Sequence, residues 1–397
     1  MNFQRAKFKD LEQIPHIKIK QDFKQDFTGT APSPFIGRVG YPRVNIGILS
    51  PQLSGDTSEY DSPLRWSQNN VPIGTIASLR YSLVNSRTSW NVKDQHSHGK
   101  FLNICQEVGM ASKPVEVEVN LQERPVVNIH PEREIMPFGP QGEMRKARIT
   151  ANSHVDARVE RLVSDTDLNA SHALLDLYQK GFEENFLTKL LSVGMIGVQQ
   201  NRKLVPTRWS ITAVDDTLGK QLTAEIKRFP AGEYQLYYGG GWGNYYLILL
   251  FPEIWSYELF ESYLDYKVNP WSKAGNFYST DYENYIGRKE YAEETAGGYY
   301  ACRLGVLEKL KQLKRQSCAL SLRFITPEYN VPLGVWVCRE ATRKALAEKP
   351  LMFASEELML QYARELIKRK LGLELDLLIK ESKLLKEKKA QKRLVEF

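Results

Sequence analysis

The stretch "VEVEVN" (115–120) alternates an apolar side chain with a charged or polar one at every step. A period of two puts three valines on one face of an extended chain and both glutamates on the other, so it predicts a half-buried strand. "VVNIH" (126–130) predicts a second strand soon after. Upstream, residues 28–114 are rich in Gly, Pro, Ser and Asn, which points to turns and short irregular strands without a helical period. Downstream the period changes. Leu174, Leu175, Tyr178, Phe182, Phe186 and Leu190 recur at three- and four-residue steps and predict helix, with Asn169 or Ser171 as its N-cap.

Beyond this helix the pattern alternates irregularly. "RWSITAV" (208–214) and "LTAEIKRF" (222–229) are expected to be strands, and "EYQLYYGGGWGNYYLILLF" (233–251) a hairpin turned on glycines. "PEIWSYELFESYL" (252–264) opens on proline, as a first helical turn permits, and is expected to be helix. "RLGVLEKLKQLKRQ" (303–316) predicts an amphipathic helix, and "CALSLRFI" (318–325) and "VPLGVWVC" (331–338) predict strands. From Ser355 onward the chain reads as charged helix, with Gly372 its weak point. Strands and helices mixed without a repeating β-α-β order predict an α+β fold. The expected organisation is a polar arm (1–27), an α+β body (28–350) with a subdomain break near 150–170, a flexible basic helical segment (351–389) and a terminal peptide (390–397).

The composition is that of a globular protein: 42% hydrophobic, 25% charged and 11% aromatic over 397 residues. The net charge of +7 is concentrated: residues 380–393 hold seven basic and two acidic side chains, so five of the seven surplus charges lie there. The body is close to neutral, and charge alone does not mark it as a nucleic-acid binder. Cys105, Cys302, Cys318 and Cys338 are far apart with no C-x-x-C pair, which fits reduced thiols rather than a zinc ribbon or a disulfide framework. The first 25 residues do not read as a signal peptide, and the longest apolar run, near "YYLILLF" (245–251), is too short to span a bilayer. A soluble, cytoplasmic protein with no membrane partner is expected.

Several stretches carry candidate chemistry. "FIGRVGYPRVNIG" (35–47) places Arg38 and Arg43 among glycines, as a phosphate-clamping loop would, although a tight structural turn explains the same residues. Arg208 is a further candidate for phosphate, and Trp242 in "YYGGGWGNYY" (237–246) for stacking on a base. "QHSHGK" (95–100) sets His96 and His98 two apart without further ligands. "NSHVDARVER" (152–161) offers His154 and Asp156 as an acid/base pair, or a polar loop before a helix. "DTDLN" (165–169) starts like a calcium loop but lacks Gly at its sixth position and Glu at its twelfth, so calcium is rejected. Asp215 and Asp216, with Glu225 and Lys227 two apart on an expected strand, have the layout of a Mg²⁺- or Mn²⁺-dependent nuclease site. Aspartates in a turn between strands are the plain alternative.

The chain closes on "QKRLVEF". Gln391, Leu394 and Phe397 form Q-x-x-L-x-x-F, which resembles the peptide by which partners bind the sliding clamp PCNA; one 3₁₀ turn would bring the three onto one side. With this tail, "FIGRVGYPRVNIG", "KLVPTRWSITAVDD" and "GWGNYYLILLFPE" together resemble the Nre family of archaeal DNA-repair proteins, from about residue 35 to 397. The resemblance implies a role in the DNA-damage response and recruitment through PCNA. Some relatives carry an N-terminal cysteine-rich zinc motif; with no Cys before Cys105, that module is not expected here. Three readings follow: a repair factor whose body binds nucleic acid or a nucleotide, a metal-dependent nuclease or phosphoesterase, and an adaptor with no ligand of its own.

Overall fold

In chain order, strands β1 (Phe3–Arg5), β2 (Asp26–Ala31), β3 (Ser33–Ile36) and β4 (Arg43–Ser50) precede helices α1 (Pro63–Gln68) and α2 (Ile73–Tyr81). There follow β5 (Val84–Asn91), α3 (Lys100–Met110), β6 (Val115–Leu121), β7 (Gln141–Ile149), α4 (Ala157–Ser164), α5 (Ala170–Gln179), α6 (Glu184–Ser192) and α7 (Thr207–Ile226). The remainder comprises β8 (Tyr234–Gly241), β9 (Asn244–Phe251), β10 (Ser256–Tyr263), β11 (Asn276–Glu283), α8 (Gly297–Leu313), β12 (Cys318–Ile325), α9 (Trp336–Ala347), β13 (Leu351–Phe353), α10 (Glu356–Leu371), α11 (Asp376–Glu381) and α12 (Lys383–Ala390). This computed structural model describes residues 3–5, 22–94, 99–125, 132–264 and 276–390. The fold is α+β. "VVNIH", His96, His98, Gln391, Leu394 and Phe397 lie outside the described residues.

The chain divides into two units, one of residues 1–14, 219–330 and 335–397, the other of residues 15–218 and 331–334. The second is built on a six-stranded sheet of order β2-β6-β7-β5-β4-β3. In β6 the period of two is realised: Val115, Val117, Val119 and Leu121 are buried. On the other face Glu118 pairs with Arg148, and Glu116 accepts from Thr150 Oγ1 at 2.8 Å. Each buried valine contributes about 1.5–3 kcal/mol relative to exposure. They pack with Ile46, Ile48, Val84, Leu102, Cys105 and Val108 in one core. The helix expected after residue 169 is two helices, capped as read: Asn169 Oδ1 accepts the His172 N–H at 2.9 Å. Gly181, at φ +86°, breaks it, because a left-handed residue ends an α-helix.

The first unit is built on a seven-stranded mixed sheet of order β1-β11-β10-β12-β9-β8-β13. Leu247, Leu249 and Phe251 of β9, with Leu320, Leu322 and Phe324 of β12, pack against α10 through α12. Alternate residues face the other way, where Tyr246 meets Cys302 of α8. The β8–β9 hairpin turns on Trp242 and Gly243, both at positive φ (+54° and +67°), as a two-residue turn of the hairpin hand requires. All four cysteines are buried free thiols. Among the described residues no helix is long and apolar enough to cross a membrane.

Several segments differ from expectation. Residues 28–114, read as turns and short strands without a helical period, also hold the helices α1, α2 and α3; in α3, Phe101, Leu102, Cys105 and Val108 form a buried stripe at helical spacing. Residues 207–226, expected to hold two strands, form one helix, α7. Ser210, Val214, Leu218, Leu222 and Ile226 are buried at four-residue steps, and that stripe outweighs the strand preference of Ile211, Thr212 and Val214. Residues 256–263, expected to be helix, form β10, hydrogen-bonded to β11 on one side and β12 on the other. Every residue from Tyr257 to Tyr263 is buried, so no helical stripe exists to be read. "VPLGVWVC" is no strand: Gly334 turns at φ +92° and α9 begins at Trp336.

The basic segment was expected to be flexible; through Ala390 it is docked. Ser355 caps α10 and Gly372 ends it in the left-handed conformation. Leu375, Leu378, Leu384 and Leu385 then enter the core of the first unit. Glu258 of β10 supplies the anchor, accepting from Ser382 Oγ at 2.5 Å, from the Lys383 and Leu384 N–H groups at 3.0 Å each, and from Thr280 Oγ1 at 3.2 Å. Burial pushes the Glu258 carboxyl above the ordinary range while these donors pull it back. Glu258→Ala removes the anchor and leaves four donors without it. The expected cost is about 1–3 kcal/mol, with faster amide exchange confined first to residues 383–390. Unchanged exchange there would show that leucine packing alone holds α12.

Candidate nucleic-acid interface

The hairpin joining β3 to β4 carries "GRVGYP" (37–42) at its tip. Gly37 N–H donates to Asn45 O at 2.8 Å, and Arg43 N–H to Gly40 O at 3.0 Å. Gly40 sits at φ +84°, and a Cβ there would come within 2.7 Å of Arg43 O, so this glycine is demanded by the turn. The tight turn lifts Arg38, Val39, Tyr41 and Arg43 into solvent.

The start of α7 meets this hairpin. Ile36 N–H donates to Thr207 Oγ1 at 3.0 Å, tying the "FIGR" strand to the "PTRW" helix start. The next two residues of α7 are Arg208 and Trp209. The Trp209 and Tyr41 rings lie 5.1 Å apart, tilted by 54°, although each is close to half exposed (45% and 44%). Arg38 Nε lies 3.3 Å from Glu132 Oε2, and an Arg208 Nη lies 4.0 Å from the same oxygen. Arg208 also pairs with the buried Glu134. Arg43 Nε donates to Ser89 Oγ at 3.0 Å and has no carboxylate partner among the described residues. The two motifs thus build one surface: two exposed aromatic faces, three guanidiniums, and two carboxylates holding two of those guanidiniums in place. Rings of this kind stack on bases, and a guanidinium with five donors keeps most of them for phosphate oxygens.

Trp242 belongs to the other unit. It packs edge-on against Trp336 (5.3 Å, 70°) with the Lys344 ammonium 5.0 Å from its ring centre. The four residues of the nuclease layout do not lie on a strand. They sit in and just after α7, where a rise of about 1.5 Å per residue puts Asp215 and Asp216 some 15 Å from Glu225 along the axis. Asp215 is buried; Glu225 pairs with Lys311 at 2.9 Å. Lys227 Nζ donates to Tyr285 O at 2.5 Å and lies over its ring. Among the described residues no group of three or more His, Cys, Asp or Glu side chains is arranged to hold a metal ion. Asp156 is the N-cap of α4, and its hydrogen bonds from Arg158 hold its pKa down at about 2. The partner of His154 Nδ1 is Ser112 Oγ, at 3.0 Å.

Sequence reading missed Tyr41, Trp209 and Glu132. Tyr41 lies between the two arginines of its motif and Trp209 beside Arg208, so the signal was an aromatic next to an arginine in both stretches. The surface separates structural from exposed arginines. Arg208→Ala leaves the Glu134 carboxylate buried with less compensation and should cost about 1–3 kcal/mol in denaturant unfolding. Arg43→Ala should stay within about 0.5 kcal/mol of the parent. Equal effects would contradict the assignment.

Comparison with known proteins adds the family. The N-terminal archaeal Nre model matches residues 7–271, and the C-terminal archaeal Nre model matches residues 283–397. The chain is 38% identical over 353 residues to DNA repair protein NreA of Haloferax volcanii, covering 86% of this chain and 84% of that protein. It is 37% identical over 352 residues to DNA repair protein NreB of Archaeoglobus fulgidus, covering 88% and 87%. It is 34% identical over 353 residues to DNA repair protein NreA of the same organism, covering 88% of each. No solved structure matches the chain. With both family models matching and relatives aligned over most of its length, the chain belongs to the archaeal Nre family.

Proposed function

We propose that the protein acts in DNA repair, contacting nucleic acid through Arg38, Tyr41, Arg43, Arg208 and Trp209 and recruited to PCNA through Gln391, Leu394 and Phe397. The observation that carries the nucleic-acid part is the Tyr41–Trp209 pair, exposed and flanked by arginines, assembled from two motifs more than 160 residues apart. The printed names of the relatives support the repair part. The clamp part is supported by the spelling Q-x-x-L-x-x-F, which follows directly on the docked α12.

Fluorescence anisotropy with labelled single- and double-stranded DNA tests the surface. Stacking on an aromatic is worth about 1–3 kcal/mol per base, so Tyr41→Ala with Trp209→Ala should weaken binding on the order of tenfold or more. Arg43→Glu should weaken it further and flatten the salt dependence. Affinity unchanged in all three variants would remove this surface from consideration.

Calorimetry against PCNA tests the tail. Burying Leu394 and Phe397 contributes about 1.5–3 kcal/mol each before ordering costs, giving an affinity on the order of micromolar. Leu394→Ala with Phe397→Ala should abolish it, as should ending the chain after Ala390. Cutting further in would remove the buried Leu384 and Leu385 and so report on folding instead.

A further inference from the structure

The four cysteines are all buried free thiols, yet their surroundings differ. Cys105 lies in the core of the second unit, where its thiol donates to Gly47 O at 3.7 Å. Cys318 of β12 points into the core that α10 through α12 cover. Burial pushes the pKa of Cys105 far up and that of Cys318 up to about 12, so both are held as unreactive thiols. Cys302 and Cys338 stand on the opposite face of the same sheet as Cys318, and they stand together.

Helices α8 and α9 approach each other through Gly305, where a Cβ would meet Thr342 Cγ2 at 3.0 Å. Three residues before Gly305 and four before Thr342, on the same faces of their helices, are Cys302 and Cys338. Cys302 Sγ lies 4.0 Å from Cys338 O, and its S–H donates to the Cys338 sulfur. The Tyr246 hydroxyl lies 3.0 Å from Cys302 Sγ. The pair is asymmetric. The hydrogen bond from Cys302 holds the Cys338 thiol below its ordinary pKa; burial and Glu261 oppose this, while Arg323 and Arg339 assist it. Burial pushes the Cys302 thiol up, and the proton it offers to Cys338 pushes it further.

A soft metal would need further ligands, and among the described residues no group of three or more His, Cys, Asp or Glu side chains is arranged to supply them. Two sulfurs in contact, one predisposed to the thiolate, match thiol oxidation instead. We propose that Cys302 and Cys338 form a reversible disulfide when hydrogen peroxide reaches them, with Cys338 the sulfur attacked first. The Cys338 thiolate takes one peroxide oxygen, the O–O bond breaks, and hydroxide leaves as water with a proton. The Cys302 sulfur then attacks the sulfenic acid on Cys338, the S–O bond breaks, and a second water leaves with the other thiol proton. Two thiols lose two electrons and the peroxide gains them. The bond joins α8 to the first turn of α9 and so fixes Trp336, the ring against which Trp242 packs. The inference shares no residue with the Tyr41–Trp209 surface or the clamp peptide, and it holds or fails independently of both.

Mass spectrometry on the native full chain decides it, after treatment with hydrogen peroxide, quenching with catalase and alkylation with iodoacetamide in denaturant. Two of the four thiols should be lost, a cross-linked peptide pair should contain Cys302 and Cys338, and dithiothreitol should restore both thiols. Cys105 and Cys318 should remain alkylated. The oxidised chain should melt several degrees above the reduced one, because the cross-link restricts the unfolded state. Cys302→Ser keeps a donor beside Cys338 but removes the second sulfur. Oxidation should then stop at a sulfenic acid on Cys338, trapped by dimedone added with the denaturant. In Cys338→Ser, Cys302 should stay a thiol. The cross-link in the parent is read without any substitution, so a variant that fails to fold leaves the test intact. Four alkylated thiols after peroxide, a cross-link through Cys105 or Cys318, or a sulfenic acid on Cys302 in Cys338→Ser overturns the proposal.

Discussion

Two carboxylates on one buried strand organise the first unit. β10 is paired on both edges and covered on both faces, yet it carries Glu258 (0% exposed) and Glu261 (2%). A carboxylate in such a place needs donors, or its desolvation exceeds what neighbouring packing returns. The two are answered from opposite faces. Glu258 takes the hydroxyl of Ser382 and the first amides of α12, so the C-terminal helices are bound by polar as well as apolar contacts. Glu261 pairs with Arg323 of the adjacent parallel strand, opposite it in register, and accepts from Tyr263 OH at 3.2 Å. Arg323 also donates from Nε to Asn244 Oδ1 at 3.0 Å, linking β12 to β9. A Cβ on Gly298 would collide with Glu261 Oε1, so the start of α8 approaches the strand as closely as it does only as glycine.

The docking of α12 alters the meaning of the basic tail. Its lysines look like a free polycation in the sequence, but several are engaged. Lys388 pairs with Glu253 and lies 3.2 Å from Glu356; burial opposes its charge, and these carboxylates more than offset that and raise its pKa. Lys383 and Lys386 lie 3.8 Å and 3.9 Å from Glu387 and Glu381. The surplus charge is therefore partly structural, and α12, which carries much of it, is seated on the first unit.

In the second unit, one turn brings the two motifs together. The left-handed Gly40 makes the β3–β4 loop tight enough to raise Tyr41, and the Ile36–Thr207 hydrogen bond brings the start of α7 beside it. Arginines 170 positions apart, Arg38 and Arg208, then converge on Glu132. The apolar core beneath, with β6 as its most regular strand, gives both a rigid base.

Much of the local structure was determined by the sequence alone. The alternation of β6, the capped start of α5, the glycine-turned hairpin of β8 and β9, the α8 helix and the Gly372 stop each depend on neighbours within a few residues. Arg38 and Arg43 are exposed at the tip of their hairpin, whereas Arg208 is half-buried against Glu134, a difference that their neighbours in the sequence do not show. Only the tertiary structure decided that β10 is a strand and that α7 and α9 are helices. Their intrinsic preferences differ by less than about 1 kcal/mol per residue, and burial against distant strands exceeds that. It also decided that Asp215 and Glu225 stand turns apart on one helix, and that Tyr41 and Trp209 share a surface. Spacing along a chain reports neighbours only once the period of the segment is known, and here that period was set by packing.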